Sequence, residues 1–164
     1  MRLPSTMVPI ASITLNATTT TITFSNIPQT YTDLMVVVTG THTGSGVAGL
    51  RISAINGDGG SNYSDTLLQG GGGGGGSAVS ARNSDTSMNI GLIGSSQSGS
   101  TFNFMNYSNS TTFKTILSRG NDASALVRAA IGMWRNTAAI RSFSVSGVTF
   151  SVGTTATIYG IKAA

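Results

Sequence analysis

Any chemistry in this chain must come from a short list of side chains. Its acids are Asp33, Asp58, Asp65, Asp85 and Asp122; Glu and Cys are absent, and His42 is the sole histidine. Asp58 and Asp65 are close in sequence and form the candidate pair for glycoside hydrolysis, which needs two carboxyls roughly 5 to 9.5 Å apart. Asn56, Asp58, Asn62 and Asp65 also make an oxygen-rich stretch, and calcium takes about 6 to 8 oxygen ligands. Their spacing departs from the EF-hand loop and no Glu closes it, so a turn-rich loop is expected. His42 lies in Gly40-Thr41-His42-Thr43-Gly44 without a neighbouring ligand cluster, and a catalytic triad would need a buried Asp and a nucleophilic Ser beside it. The strained GxSxG elbow is absent, so His42 is expected to be a solvated loop residue. Tyr31, Tyr63, Tyr107, Tyr159 and Trp134 could line a carbohydrate platform, although aromatics in a sandwich more often fill the core. These residues predict no catalytic, metal or cofactor site.

The elements that would position these side chains are strands. Short runs rich in Val, Ile, Thr and Phe, punctuated by Gly, Asn, Ser and Pro, recur at the spacing of a sandwich or barrel. The predicted strands are Ile10 to Leu15, Thr19 to Phe24, Leu34 to Thr39, Val47 to Ile55, Ser87 to Ile93, Thr101 to Tyr107, Thr112 to Arg119, Leu126 to Trp134, Ile140 to Ser146 and Thr155 to Ile161. Leu34 to Thr39 is apolar throughout its length and reads as a central strand covered on both faces. Asn56-Gly57-Asp58-Gly59-Gly60 carries strong turn chemistry. Ala123 to Arg135 fits a helical spacing through Leu126, Ala129, Ala130 and Met133, and an alternating one through Val127, Ala129, Ile131 and Met133. Gly132 costs a helix interior about 1 kcal/mol relative to Ala, which favours the strand. The pattern as a whole predicts an all-β, single-domain β-sandwich, with the jelly roll as its expected form.

Two segments stand apart. Met1 to Pro9 has two prolines, Arg2 and the apolar Leu3, Met7 and Val8 but no strand pattern, so it is expected to be an arm over 1–9 that frays or lies on a neighbour. Gly70 to Gly76 lacks the Lys-Ser/Thr that closes a P-loop. It reads as a flexible or partner-supported loop, or as a close backbone approach at a crowded symmetry axis. Arg2, Leu3, Met7, Val8, Gly70 and Gly76 are therefore the candidate partner contacts.

Composition narrows the function class. The chain has 164 residues, enough for one domain with a real core, and 9% are charged against a typical ~25%. Ser, Thr, Asn and Gly replace the missing charge, giving a neutral, hydrogen-bonding surface suited to packing beside other proteins. The absence of Glu removes a common exposed helix former and a common general acid or base. Net charge is +4, yet the nine basic residues are spread along the chain with no run of two, which argues against nucleic acid as a partner. Pro4 and Pro9 interrupt any signal-peptide core, and no stretch approaches the ~20 apolar residues of a membrane span, so neither secretion nor a membrane partner is expected.

Four stretches, in order, carry a resemblance: Thr30 to Leu34 after Phe24-Ser25-Asn26-Ile27-Pro28, then Tyr107 to Arg119, Met133 to Ile140, and Thr155 to Ala164. Together they resemble a family of small β-rich virion proteins of tailed bacteriophages, over nearly the whole chain except the variable middle between Thr41 and Gly99. The resemblance implies a non-enzymatic virion component, made in the host bacterial cytoplasm. Its partners would be the major capsid protein or other virion proteins, and a homotrimer is the first expectation. A capsid decoration or cement protein is the leading role; a tail-fibre or receptor-binding module that holds host glycan is the alternative.

Overall fold

The structure, a computed structural model, describes residues 6–71, 76–123 and 126–162, with the backbone alone at 76–83. Twelve strands and one 3-10 turn at Ile55–Gly57 follow in chain order: β1 (Met7–Thr14), β2 (Ile22–Phe24), β3 (Asp33–Gly40), β4 (Val47–Ser53), β5 (Tyr63–Gly71), β6 (Gly76–Asp85), β7 (Ser87–Gly94), β8 (Ser98–Phe104), β9 (Lys114–Asp122), β10 (Leu126–Trp134), β11 (Phe143–Ser146) and β12 (Thr155–Ile161). They form two antiparallel sheets, one of eight strands in the order β1-β12-β3-β8-β9-β10-β5-β6 and one of four in the order β2-β11-β4-β7. The fold is thus the all-β sandwich expected. Twelve strands exceed the roughly eight of a jelly roll.

Period-two alternation decides what lies between the sheets. Leu34, Val36 and Val38 of β3, Phe102 and Phe104 of β8, and Ala156 and Ile158 of β12 point inward from the large sheet; Leu50, Ile52, Phe143 and Val145 answer from the small one. Phe143 links the layers, with ring centroids 4.7 Å from Phe104 and 5.5 Å from Phe24. Only the inner face of β3 is fully buried, since Met35 and Val37 on the other face are half exposed. The expectation of cover on both faces fails there because nothing described packs over the outer face of the large sheet.

The small sheet ends in β7, whose backbone would be an open edge inside the protein. Side chains of the large sheet close it instead. Ser100 Oγ accepts from Leu92 N at 2.9 Å and donates to Leu92 O at 2.7 Å; Ser98 Oγ accepts from Gly94 N at 2.8 Å; Ser118 Oγ donates to Ile90 O. Asp65 Oδ2 accepts from Asn89 N at 2.9 Å, and Arg128 Nη1 donates to Gly91 O at 2.9 Å. Buried backbone groups require such partners. Approach this close also requires small residues opposite: a Cβ on Gly120 would come within 3.1 Å of Leu92 N, and one on Gly132 within 3.2 Å of Ile90 Cδ1.

Three sequence expectations need correction. The arm loses its last three residues to β1, where Met7 and Val8 pair with Ile161 and Gly160, while Arg2 and Leu3 lie outside the described residues. In the glycine run, Gly70 and Gly71 end β5 and Gly76 opens β6, with Gly70 paired to Gly76; residues 72–75 lie outside the described residues. Strands β5 and β6 were not legible, because Gly, Ser, Asn and Asp have low β propensity and hold here by pairing. Ser100→Ala leaves both backbone groups of Leu92 unsatisfied in the core, and is expected to cost about 2–3 kcal/mol in urea denaturation. Removal of the exposed Ser110 hydroxyl should stay within about 0.5 kcal/mol.

Candidate docking surface

The residues with chemical potential serve the fold. Asp58 sits just after the 3-10 turn and collects donors on both oxygens: Oδ2 accepts from Trp134 Nε1 at 2.7 Å and Asn62 Nδ2 at 2.9 Å, and Oδ1 from Gly60 N at 2.8 Å. These bonds, Trp134 first, hold the carboxyl below the usual carboxylate range. Asn56 anchors the same turn, donating to Ala139 O at 2.8 Å and accepting from Arg141 N at 2.7 Å. Tyr63 donates its hydroxyl to Asp58 O at 2.8 Å and accepts from Ile55 N at 3.0 Å; burial pushes its phenol up to about 12. The oxygen-rich stretch is thus a hydrogen-bonded clamp around an indole, with its oxygens aimed at protein donors.

Asp65 lies apart from Asp58, on β5, serving Asn89 N between the sheets. Burial pushes its carboxyl above the usual range. His42 is buried, not solvated as expected. Its Nδ1 accepts from Gly44 N at 3.1 Å and its Nε2 lies 3.2 Å from Gly46 O, an arrangement satisfied by the Nε2–H tautomer. Lys114 is buried too, donating to Thr112 O at 2.7 Å and Thr137 O at 2.8 Å, and burial pulls its ammonium below the usual lysine range. Trp134, Tyr63 and Tyr107 are at most 1% exposed, which removes three of the five aromatics from any carbohydrate platform. No group of three or more potential metal ligands occurs among the described residues.

What the fold leaves available is the outer face of the large sheet. Leu68 of β5 is 62% exposed, Val127 and Ile131 of β10 are 60% and 50%, and Leu117 of β9 is 45%. Register makes them neighbours: Leu117 is opposite Ile131, Ala129 opposite Leu68, and Val127 opposite Gly70. A trough of about 460 Å³ runs beside Val127 toward β8 and β3, between Val37, Thr39, Gly99, Thr101 and Asn121. A second hollow lies on the other side of Val127, against Leu68, Gly70 and Ala129. Arg119 of β9 stands among them, opposite Ala129 on one side and Thr101 on the other.

Of the candidate contacts, Gly70 joins this face, whereas Met7 and Val8 lie on β1 at the opposite edge of the sheet. Leu68, Leu117, Arg119, Val127 and Ile131 were missed as contacts. The signal was present in β10, where the larger apolar residues alternate with Arg128, Ala130 and Gly132. That pattern reads as an apolar core face, yet here Ala130 and Gly132 face the core while Val127 and Ile131 face out.

No protein-family model matches this chain, and no curated protein is similar to it in sequence. No helix among the described residues is long and apolar enough to cross a membrane.

Asp58→Ala orphans the indole N–H of a buried Trp134 and should destabilise by about 2–3 kcal/mol, read as a lower midpoint in urea followed by the fluorescence of the single tryptophan. For Asp65 the sign is opposite to that of a paired carboxylate. Its folded pKa is raised, so its contribution is full below the unfolded value near 4 and is lost as pH rises through the folded one. Asp65→Asn keeps an acceptor for Asn89 N, and should be more stable than wild type at pH 7, with the advantage shrinking toward pH 3 in paired melting curves.

Proposed function

We propose that this chain is a non-enzymatic virion component of a tailed bacteriophage, acting as a capsid decoration protein through protein–protein contact. The observation that carries the contact role is the concentration of exposed Leu68, Leu117, Val127 and Ile131 on the outer faces of three adjacent strands. A soluble domain that leaves such a patch bare has a use for it. The capsid assignment comes from the resemblance of its ordered sequence stretches to small β-rich virion proteins.

The size of the patch fits repeated contact. Strands ~4.8 Å apart and outward residues ~6.8 Å apart make it on the order of 300 Å², well under half of the ~800 Å² each partner contributes to a standard interface. One such contact is weak; many copies on a lattice bind through avidity. Closed symmetry, with a homotrimer as the first expectation, would raise the number of contacts per particle bound. Arg2, Leu3, Met7, Val8, Gly70 and Gly76 remain the proposed supplementary contacts, with Met7 and Val8 on β1. A tail-fibre module is the alternative, but with Trp134, Tyr63 and Tyr107 in the core it has fewer aromatics to offer a glycan.

Copy number decides between them. Quantitative mass spectrometry of purified particles should find about one copy, or one third of a copy, per shell subunit, which is what repeated binding to a symmetric lattice requires. A few copies per hundred would move the protein to the tail, and absence from particles would overturn both readings.

A further inference from the structure

We infer that Arg119 is the polar anchor of the outer sheet face, and that the surface it meets is a segment of another virion protein presenting a single carboxylate among apolar side chains. The inference rests on the reading of this chain as a particle component, and specifies the chemistry of its partner.

Three observations carry it. First, Arg119 is the only charged residue at the outward positions of β5, β8, β9 and β10. Its neighbours along β9 on that face are Leu117 and Asn121, and across the sheet Ala129 and Thr101. Second, the described residues hold one ion pair, Arg51 with Asp85 at 3.8 Å, and Arg119 is not in it. Its Nε donates to the Thr101 hydroxyl at 3.2 Å, which lays the guanidinium across β8 toward the trough. Third, hollows open on both sides of Val127, close to Arg119, and are walled largely by apolar groups.

The physics then restricts what covers this face. An apolar surface laid over Arg119 would strip water from a guanidinium and return no acceptor, which is strongly unfavourable. The covering surface must therefore bring an anion. A carboxylate matches the planar guanidinium with two parallel hydrogen bonds. A nucleic acid is a poor fit, since its affinity comes from many cations meeting many phosphates, and the described outward positions of these four strands have one. A second copy in the same orientation is a poor fit too, because it brings another Arg119 and no acid. An extended segment running along β9 repeats its side chains every ~6.8 Å, so a carboxylate over Arg119 sends the residues two positions away toward Leu117 and toward the trough beside Val127. An Arg inside an apolar surround is the composition of an interface hot spot.

The test is rebinding of purified protein to particles from which this chain has been deleted. Wild type is compared with Arg119→Ala, Arg119→Lys and Arg119→Glu, and with Arg141→Ala as an exposed basic control away from this face. Arg119→Ala should weaken binding at least about thirtyfold, the factor for the ~2 kcal/mol lower bound on losing one partner of a desolvated pair. Arg119→Lys should recover only part of this, Arg119→Glu none, and Arg141→Ala should bind as wild type, with all four melting within a few degrees of wild type. Wild-type binding that survives Arg119→Ala and Arg119→Glu would overturn the inference and leave the virion role standing. Failure of wild type to bind deletion particles would overturn the role itself. Self-association in sedimentation that disappears with Arg119→Ala would assign the face to a second copy and also overturn the inference.

Discussion

The sandwich depends on how the backbone of one strand is satisfied. β7 pairs with β4 on one side only, yet its burial is nearly complete along its length. In most sheets such an edge would meet water or another strand. Here Ser98, Ser100 and Ser118, with Asp65 and Arg128, stand in for the missing ladder. Each hydroxyl bonds β7 from the facing sheet, so the hydrogen bonds that close the edge also tie the two layers together. Hydrogen bonds of this kind add little when made and cost much when lost, because the orphaned group stays buried.

That closure dictates composition on the inner face of the large sheet. A backbone cannot reach facing hydroxyls across bulky side chains, so the positions opposite β7 are Ser118, Gly120, Ala130 and Gly132. Leu117 of β9 and Val127 and Ile131 of β10 are correspondingly on the outer face, while Ile116 and Trp134 stay in the core. The bare apolar face and the polar seam inside are therefore two sides of one arrangement. The seam holds the layers together, and the outer face is left for contact. The Asp58 clamp around Trp134 secures the end of β10 and the start of β5, the two strands that present Val127, Ile131 and Leu68.

Some of this was legible in the chain. The alternation in Thr21 to Phe24, the apolar run from Leu34 to Thr39 and the absence of Glu point to strands, and strands are found at Ile22–Phe24 and Asp33–Gly40. Trp134 was expected in the core and lies there. The turn chemistry after Ile55 was also readable, since Asn56 adopts a φ of 52°, in the left-handed region that Asn tolerates better than most residues. By contrast, nothing in the sequence singled out Ser98, Ser100 and Ser118 as buried partners, and β5 and β6 were not among the predicted strands. The outward alternation of β10 could not be oriented, because period two separates two faces without saying which is buried.

The sequence by itself determined that this protein is built of β-strands, that it has few groups able to do acid–base or metal chemistry, and that its surface is poor in charge. Those conclusions rest on residue type and local period, which act within a few residues. Only the tertiary structure decided that serines fill a buried seam, that His42 and Lys114 are enclosed, and that Arg119 stands among exposed apolar side chains. These outcomes depend on which strand lies beside or across from which, and that is set by contacts between residues far apart in the chain.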